Sequence, residues 1–246
     1  MRELAPTLPL PVSAIAVHDG GPNGLPFTSH RLVQGVPVGE LARPLAANAG
    51  AVLGHFLRAT HAFPMERAVA LGLAKASPQA HRESRKRFLE RRVVPEVFPL
   101  ISETARRHVS ATFEAFLAEA SNFEWEPVVS HSDIDAYNVL ADPATGELTG
   151  VIDWGDLSLH DPAGDFVSAQ FGTLARAGLQ DQLPHLFHAY GLTRRERESM
   201  RPRCEFGAYS EPLHQIIYGI ESDQEAFVRA GIDRLYETLK GRHLGP

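Results

Sequence analysis

The spacing of apolar residues divides the chain into segments of different character. Residues 1–38 contain six prolines, and the short apolar runs at 12–18 and 27–33 predict brief β-strands. The sequence DGGPNG at 19–24 predicts a turn between them. Two such strands are too few for an independent sheet domain, so this segment is not predicted to fold by itself.

A helical pattern begins at Gly39, where apolar residues start to recur at steps of three and four. One stripe comprises Leu41, Leu45, Ala49, Val52, Leu53 and Phe56, a second comprises Ile101, Ala105, Val109, Phe113 and Phe116, and a third comprises Phe227, Gly231, Leu235 and Leu239. Pro44 is compatible with the first helix only if it lies in the first turn. The charged segment at 81–92 predicts a solvated helix face. The chain is therefore predicted to be mostly helical on both sides of residues 127–154.

Three short β-type runs interrupt the helices: PVVSH at 127–131, NVLAD at 138–142 and LTGVIDW at 148–154. The last two are joined by the turn-forming DPATGE and therefore predict a β-hairpin. The segment HSDIDAYNVL at 131–140 leads into this hairpin and places a His, two Asp and an Asn close together. We predict an α+β fold in which a hairpin and its polar entry loop are inserted among helices.

Composition narrows the range of functions. The 246 residues are 43% hydrophobic and 22% charged, as in ordinary globular proteins, and the net charge of −6 argues against nucleic acid or anionic lipid as the main partner. The sequence contains no run of about 18 apolar residues, so no membrane span is predicted. Cys204 is the only cysteine, which excludes an internal disulfide and a multi-cysteine zinc site. A cytoplasmic location is the simplest expectation.

The polar residues around the hairpin suit the binding of a cation and a phosphate. A hairpin brings its two ends together, so Asn138 at its start and Asp153 at its end are expected to face one cavity. One amide and one carboxylate oxygen suit Mg²⁺, which keeps several waters and takes phosphate oxygens. Asp133, on the preceding loop, would lie near the same ion and could accept the proton of an attacking hydroxyl. The pattern predicts a phosphoryl-transfer centre.

These motifs resemble those of a known family. His-x-Asp-x₄-Asn at 131–138, followed by GVIDWGD at 150–156 and DPAGDF at 161–166, is similar to the catalytic and metal-binding segments of the aminoglycoside phosphotransferase family, small-molecule kinases that include macrolide kinases. The resemblance implies a protein-kinase-like fold. Residues 1–38 would be the remnant of a small N-terminal lobe with the hinge, and 39–246 would be a helical large lobe carrying the catalytic loop (131–140) and the metal-binding segment (150–156).

The resemblance also implies a role for each candidate residue. Asp133 would be the catalytic base, and Asn138 and Asp153 would be the magnesium ligands. His131, Asp156 and Asp165 would support the site structurally. The backbone around Leu32 and Val33 would contact the adenine of ATP. The implied reaction is ATP- and Mg²⁺-dependent transfer of the γ-phosphate to a hydroxyl of a small molecule, either an antibiotic or a metabolite.

Two features depart from the family pattern. Ser132 stands where the motif usually has glycine, which is a mild change. The larger departure concerns the small lobe, because no glycine-rich phosphate loop or strand lysine is found before the hinge. The first lysine is Lys75, and Glu3 is the only candidate for the helix glutamate that would hold such a lysine. We therefore expect this sequence to begin in mid-lobe.

Three alternatives follow from these departures and from the motif itself. Without the phosphate loop and lysine, the chain would be a catalytically impaired or inactive kinase-like binding protein. A haloacid-dehalogenase-type phosphatase would use DID at 133–135 as nucleophile and acid/base, but that motif should end a strand near the start of a Rossmann-like sheet, whereas here it lies among helices. Exposed strand edges in an incomplete lobe would favour pairing between copies, so a homo-oligomer is an alternative to a monomer.

Overall fold

A computed structural model of the chain describes residues 1–20 and 24–241. The strands within these residues are β1 (Ala16–His18), β2 (Phe27–Ser29), β3 (Val36–Pro37), β4 (Val128–Ser130), β5 (Val139–Ala141), β6 (Leu148–Val151) and β7 (Ser158–His160). The helices are α1 (Ala49–His61), α2 (Met65–Ala70), α3 (Pro78–Phe88), α4 (Glu103–Ala118), α5 (Ala163–Val167), α6 (Leu183–Tyr190), α7 (Arg194–Glu221) and α8 (Glu225–Leu239). Wider π-type turns follow α3 over Leu89–Val97 and α5 over Ser168–Leu174. The centre of the turn predicted at 19–24 lies outside the described residues.

The chain forms two compact units, each built from two separate stretches of sequence. The first comprises Met1–Lys75 and Glu126–Thr193, and the second comprises Ala76–Trp125 and Arg194–Pro246. All the described strands lie in the first unit with α1, α2, α5 and α6, while α3, α4, α7 and α8 form the second. This architecture confirms the predicted α+β class. The lobe boundary at residue 38 stays a prediction.

The strands of the first unit form three small antiparallel sheets. β1 pairs with β2, β4 pairs with β7, and the third sheet has the order β3–β5–β6. β5 and β6 form the predicted hairpin, in a register that places Val139 opposite Val151. The N-terminal segment also joins this sheet, because Val12 forms a parallel bridge with Val151, whose N–H donates to the Pro11 oxygen at 3.0 Å.

The first long helix begins later than the sequence pattern indicated. The pattern predicted a helix from Gly39, and this boundary was wrong, since α1 begins at Ala49. The residues before it lie against the hairpin turn, where Ala46 N donates to Gly146 O at 2.9 Å. Pro44 lies in this non-helical stretch, because its ring removes a backbone donor and clashes with the preceding helical turn.

The core of the first unit forms around α1. Its fully buried side chains include Leu53, Phe56, Leu57, Phe166 and Leu186. Two glycines allow α1 to approach α6 closely. A Cβ on Gly54 would collide with the Leu186 carbonyl oxygen, and a Cβ on Gly50 would lie 2.5 Å from the Gln182 carbonyl oxygen. The packing of α1 on α6 therefore depends on small residues at these two positions.

The second unit has its own helical core. The stripe predicted on α4 is buried together with residues of α7 and α8, among them Val109, Phe113, Leu213, Ile216 and Leu235. α3 has no buried residue, as expected from its charged sequence. On α8, Phe227 of the predicted stripe is 43% exposed, while Gly231 and Leu235 are buried.

Candidate active site

The polar segment forms an irregular loop between β4 and β5, and one buried carboxylate holds its beginning. Asp165, near the start of α5, has no exposed surface. Its Oδ1 accepts hydrogen bonds from Ser130 Oγ at 2.9 Å and Ser132 N at 2.7 Å, and its Oδ2 accepts one from His131 N at 3.1 Å. These bonds fix the backbone immediately before Asp133.

Two residues outside the predicted set complete the surroundings of Asp165. His61 Nε2 lies 2.9 Å from Asp165 Oδ2, and His61 Nδ1 lies 2.9 Å from Tyr190 Oη. Burial alone would raise the pKa of Asp165, but the hydrogen bond and attraction from His61, together with the Ser132 amide, hold this pKa below its ordinary value. The carboxyl is therefore ionised. The sequence offered one clue, because His61 follows Leu57 by four positions on the buried stripe of α1.

The backbone at Ser132 accounts for the glycine that the family motif usually has there. Its φ is 71°, in the left-handed region, where a Cβ costs about 1–2 kcal/mol. The Ser132 N–H bond to Asp165 fixes the backbone here, as it would for glycine. The Ser132 hydroxyl also lies 3.1 Å from Ser130 Oγ and 3.3 Å from Ser158 Oγ. Local hydrogen bonds thus accommodate a serine in a position that favours glycine.

His131 connects the loop to the far end of the hairpin. Its Nε2 donates to Ile152 O at 3.0 Å, and its Nδ1 accepts from Asp133 N at 3.3 Å. The ring meets Trp154 edge-on, with centroids 4.5 Å apart. One ring nitrogen donates and the other accepts, which is the pattern of a neutral imidazole. Burial lowers the pKa of His131, although Asp165 and the Ile152 carbonyl act in the opposite direction.

Asp135 shapes the turn that delivers Asn138. Its Oδ1 accepts hydrogen bonds from Tyr137 N at 2.7 Å and Asn138 N at 3.2 Å, as in an Asx-type turn. Next to it, the Ile134 carbonyl accepts from Thr173 Oγ1 at 2.9 Å. The second aspartate of the motif therefore sets the backbone geometry of the loop.

Asp133 and Asn138 contact each other directly. Asn138 Nδ2 donates to Asp133 Oδ2 at 2.8 Å and to the Asp133 carbonyl at 3.1 Å. Partial burial raises the pKa of Asp133 to about 6, the negative charges of Asp135, Asp156 and Asp153 act in the same direction, and the Asn138 bond opposes them. This concentration of negative charge favours a cation nearby.

The hairpin carries Asp153 to the end at which Asn138 lies. Ile152 N donates to Asn138 O at 2.9 Å, and Asp153 follows directly. The Asp153 side chain is exposed, with Oδ1 accepting a long 3.4 Å bond from Gly155 N. Because the amide nitrogen of Asn138 is bound to Asp133, its Oδ1 is the atom left to act as a ligand. This pair of oxygen donors fits Mg²⁺.

A metal at this position would have few protein ligands. Within residues 1–20 and 24–241, no group of three or more His, Cys, Asp or Glu side chains is arranged to hold a metal ion. Two oxygen ligands from the protein, completed by water and substrate phosphates, are the usual way in which proteins bind Mg²⁺ at such sites. The donor set is therefore that of a substrate-completed site rather than a closed metal cage.

The residues predicted to contact adenine differ in exposure. Leu32 is 77% exposed, whereas Val33 is 8% exposed and packs against Gly150 of β6, where a Cβ would collide with its side chain. Glu3, the only candidate for the helix glutamate that would hold a strand lysine, instead accepts a hydrogen bond from Arg67 Nε at 2.7 Å at the surface. The structure thus joins the segment around the predicted hinge to the same hairpin that carries Asp153.

Comparison with known proteins identifies the family. A family model described as the phosphotransferase enzyme family matches residues 1–203. The chain belongs to this family. The match spans most of the chain and confirms the aminoglycoside phosphotransferase resemblance that the motifs predicted. None of the curated proteins matches the sequence.

Solved phosphotransferase structures share the fold of the chain. The GDP and kanamycin complex of APH(2'')-IIia is 21% identical, with a TM-score of 0.78, and the alignment covers 98% of this chain and 80% of that one. The macrolide 2'-phosphotransferase MphH from Brachybacterium faecium is 20% identical, with a TM-score of 0.66 and coverage of 95% and 76%. ADP-bound APH(2'')-Ib is 20% identical, with a TM-score of 0.64 and coverage of 95% and 78%.

These likenesses show the fold, which is the predicted kinase-like α+β fold of the phosphotransferase enzyme family. The structure adds one finding about membranes. None of the helices in the described ranges is both long enough and apolar enough to span a bilayer.

Proposed function

We propose that the chain transfers the γ-phosphate of ATP to a hydroxyl group of a small molecule in a Mg²⁺-dependent reaction. The observation that carries this proposal is the direct contact between the Asp133 carboxylate and the Asn138 amide, beside the hairpin end that bears Asp153. A base and two oxygen ligands in this arrangement suit phosphoryl transfer to a hydroxyl. Relatives of the same fold contain GDP or ADP, which supports a nucleotide as the donor.

Each residue has a distinct task in this reaction. Asn138 Oδ1 and Asp153 would hold Mg²⁺, which when bound neutralises charge on the nucleotide phosphates. Asp133 accepts a hydrogen bond from the acceptor hydroxyl, orients its oxygen and takes its proton. It can do so only when ionised. The pKa of about 6 applies to the metal-free protein, and a bound Mg²⁺ would favour the ionised form. Asn138 Nδ2 holds that carboxylate in one orientation.

Other expectations from the resemblance belong to the same proposal. The backbone around Leu32 and Val33 contacts adenine, and Asp156 supports the site structurally, as do His131 and Asp165. Residues 1–38 act as part of the small lobe and as the hinge, residues 39–246 act as the large lobe, and the protein works in the cytoplasm. The acceptor is a small hydroxyl compound, and phosphotransferases of the same fold carry names that specify aminoglycosides or macrolides.

Calorimetric titration with ATP and with GTP, with and without Mg²⁺, tests the nucleotide site. We expect Mg²⁺-dependent binding that Asp153→Ala abolishes, because this change removes the only carboxylate among the two proposed ligands. Asp233→Ala, at an exposed carboxylate on α8, is the control and should bind like the wild type. Absence of binding in the intact chain, or unchanged binding in Asp153→Ala, would contradict the proposal.

A screen of hydroxyl compounds with γ-labelled nucleotide tests the reaction itself. We expect label to move to an acceptor, and Asp133→Asn to bind nucleotide normally while transfer slows about 100- to 10,000-fold. Nucleotide binding without transfer to any acceptor would instead support a kinase-like binding protein.

A further inference from the structure

A chain of buried hydrogen bonds, from Tyr190 through His61 to Asp165, links two helices of the first unit to the catalytic loop. Tyr190, the last residue of α6, lies 2.9 Å from Nδ1 of His61, the last residue of α1, and His61 Nε2 lies 2.9 Å from Asp165 Oδ2. His61 is 8% exposed and Asp165 is 0% exposed. Both ring nitrogens of His61 therefore have partners within the protein.

This chain of hydrogen bonds ends at the Asp165 carboxylate, which holds the catalytic loop. His61 Nε2 and His131 N share Oδ2 of Asp165, while Ser130 Oγ and Ser132 N share Oδ1. The bond from His61 limits rotation of the carboxylate and so fixes the position of both oxygens. Any rotation would be passed to the backbone of Ser132, which directly precedes the proposed base.

We propose that His61, oriented by Tyr190, is a positioning residue for phosphoryl transfer that acts through Asp165 on the loop bearing Asp133. This inference rests on the proposed function. His61 does not contact Asp133 in the structure, and its effect on the reaction is therefore indirect.

Helix packing alone does not explain the arrangement around His61. α1 and α6 already approach closely at Gly50 and Gly54. These glycines lie about three and two helical turns before His61. An apolar side chain at position 61 would fill the space without needing two polar partners, whereas a buried imidazole is costly unless both nitrogens are hydrogen-bonded. The imidazole is thus explained by its two partners.

Amide substitutions distinguish positioning from packing. The amide of glutamine reaches the place of the histidine Nε2, so His61→Gln can still donate to Asp165, whereas asparagine reaches only the place of Nδ1. We expect His61→Asn to lower kcat about 10- to 100-fold with an unchanged KM for nucleotide, and His61→Gln to retain most of kcat. His55→Asn, at an exposed histidine of the same helix, is the matched control and should leave both parameters unchanged.

Amide hydrogen exchange of the segment 130–133 provides a readout that needs no activity. We expect faster exchange at His131 and Ser132 in His61→Asn, and a smaller increase in Tyr190→Phe, which also serves if His61→Asn does not fold. Equal losses of kcat in the glutamine and asparagine variants, or unchanged exchange in both His61→Asn and Tyr190→Phe, would overturn the inference. If the wild type transfers no phosphate, the proposed function fails, and the exchange result alone decides whether His61 anchors the loop.

Discussion

Replacing Asp133 with asparagine is expected to stabilise the metal-free protein while it removes the base. The pKa of Asp133 is raised from 3.8 to about 6, chiefly by burial and then by neighbouring carboxylates. Between these values the folded protein binds more protons than the unfolded chain, so stability falls as pH rises through this window. Above about pH 6 the full penalty of the buried charge applies. Asparagine has the same shape and carries no charge.

The magnitude follows from the two pKa values. The difference between 3.8 and about 6 corresponds to about 3 kcal/mol. Asp133 is only half-buried, and screening by solvent reduces the effect to about 1–2 kcal/mol. The hydrogen bond from Asn138 Nδ2 survives the change, because the introduced amide oxygen can accept it. The net effect of Asp133→Asn is therefore a gain of about 1–2 kcal/mol at neutral pH.

Urea unfolding in the presence of a divalent-cation chelator measures this gain. We expect Asp133→Asn to be more stable than the wild type at about pH 8, and the advantage to shrink by about half near pH 5. Asp233→Asn, at the exposed control position on α8, should show no such advantage at either pH. A variant no more stable than the wild type, or an advantage independent of pH, would refute the account of the charge at Asp133.

Three further predictions concern the loop, the hairpin and the reaction. In urea unfolding, Ser132→Gly should be more stable than Ser132→Ala by about 1 kcal/mol. At Ala111, on the exposed face of α4, replacement by glycine should instead lose about 1 kcal/mol. If alanine is more stable than glycine at both positions, Ser132 is not strained. In thermal unfolding, Gly150→Ala should lower the stability by about 1–3 kcal/mol, because the new Cβ would lie 2.8 Å from the Pro11 carbonyl oxygen. Gly164→Ala is the control and should cause no loss of stability, because a Cβ there meets nothing within 4 Å. The kcat/KM for transfer should fall at acid pH as Asp133 is protonated, with an apparent pKa at or below the value of about 6 of the metal-free protein, because bound Mg²⁺ favours the ionised carboxylate. A flat profile would argue against Asp133 as the base.

The parts of the site that the sequence predicted are those encoded locally. The hairpin could be predicted because turn residues separate two short β-type runs, and its ends necessarily bring Asn138 and Asp153 together. The start of α1 could not be predicted, because the spacing of apolar residues indicates which side chains are buried. It does not distinguish a helix from the non-helical stretch that contains Pro44. Tyr190 and His61 are 129 positions apart and His61 and Asp165 are 104 apart. No local pattern encodes such contacts, and only tertiary packing reveals them.

The spread of these contacts along the chain has a consequence for the order of folding. The β5–β6 hairpin closes a short loop, which takes about 1–10 μs in isolated hairpins. The bonds of Asp165 to Ser130 and His61 span 35 and 104 positions and require larger loops to close, at a greater entropic cost. A refolding chain should therefore regain the hairpin ends that present Asn138 and Asp153 before the loop geometry around Asp133. In a refolding time course, the hairpin would form first, and phosphoryl transfer would return only after the long-range bonds of Asp165 had formed.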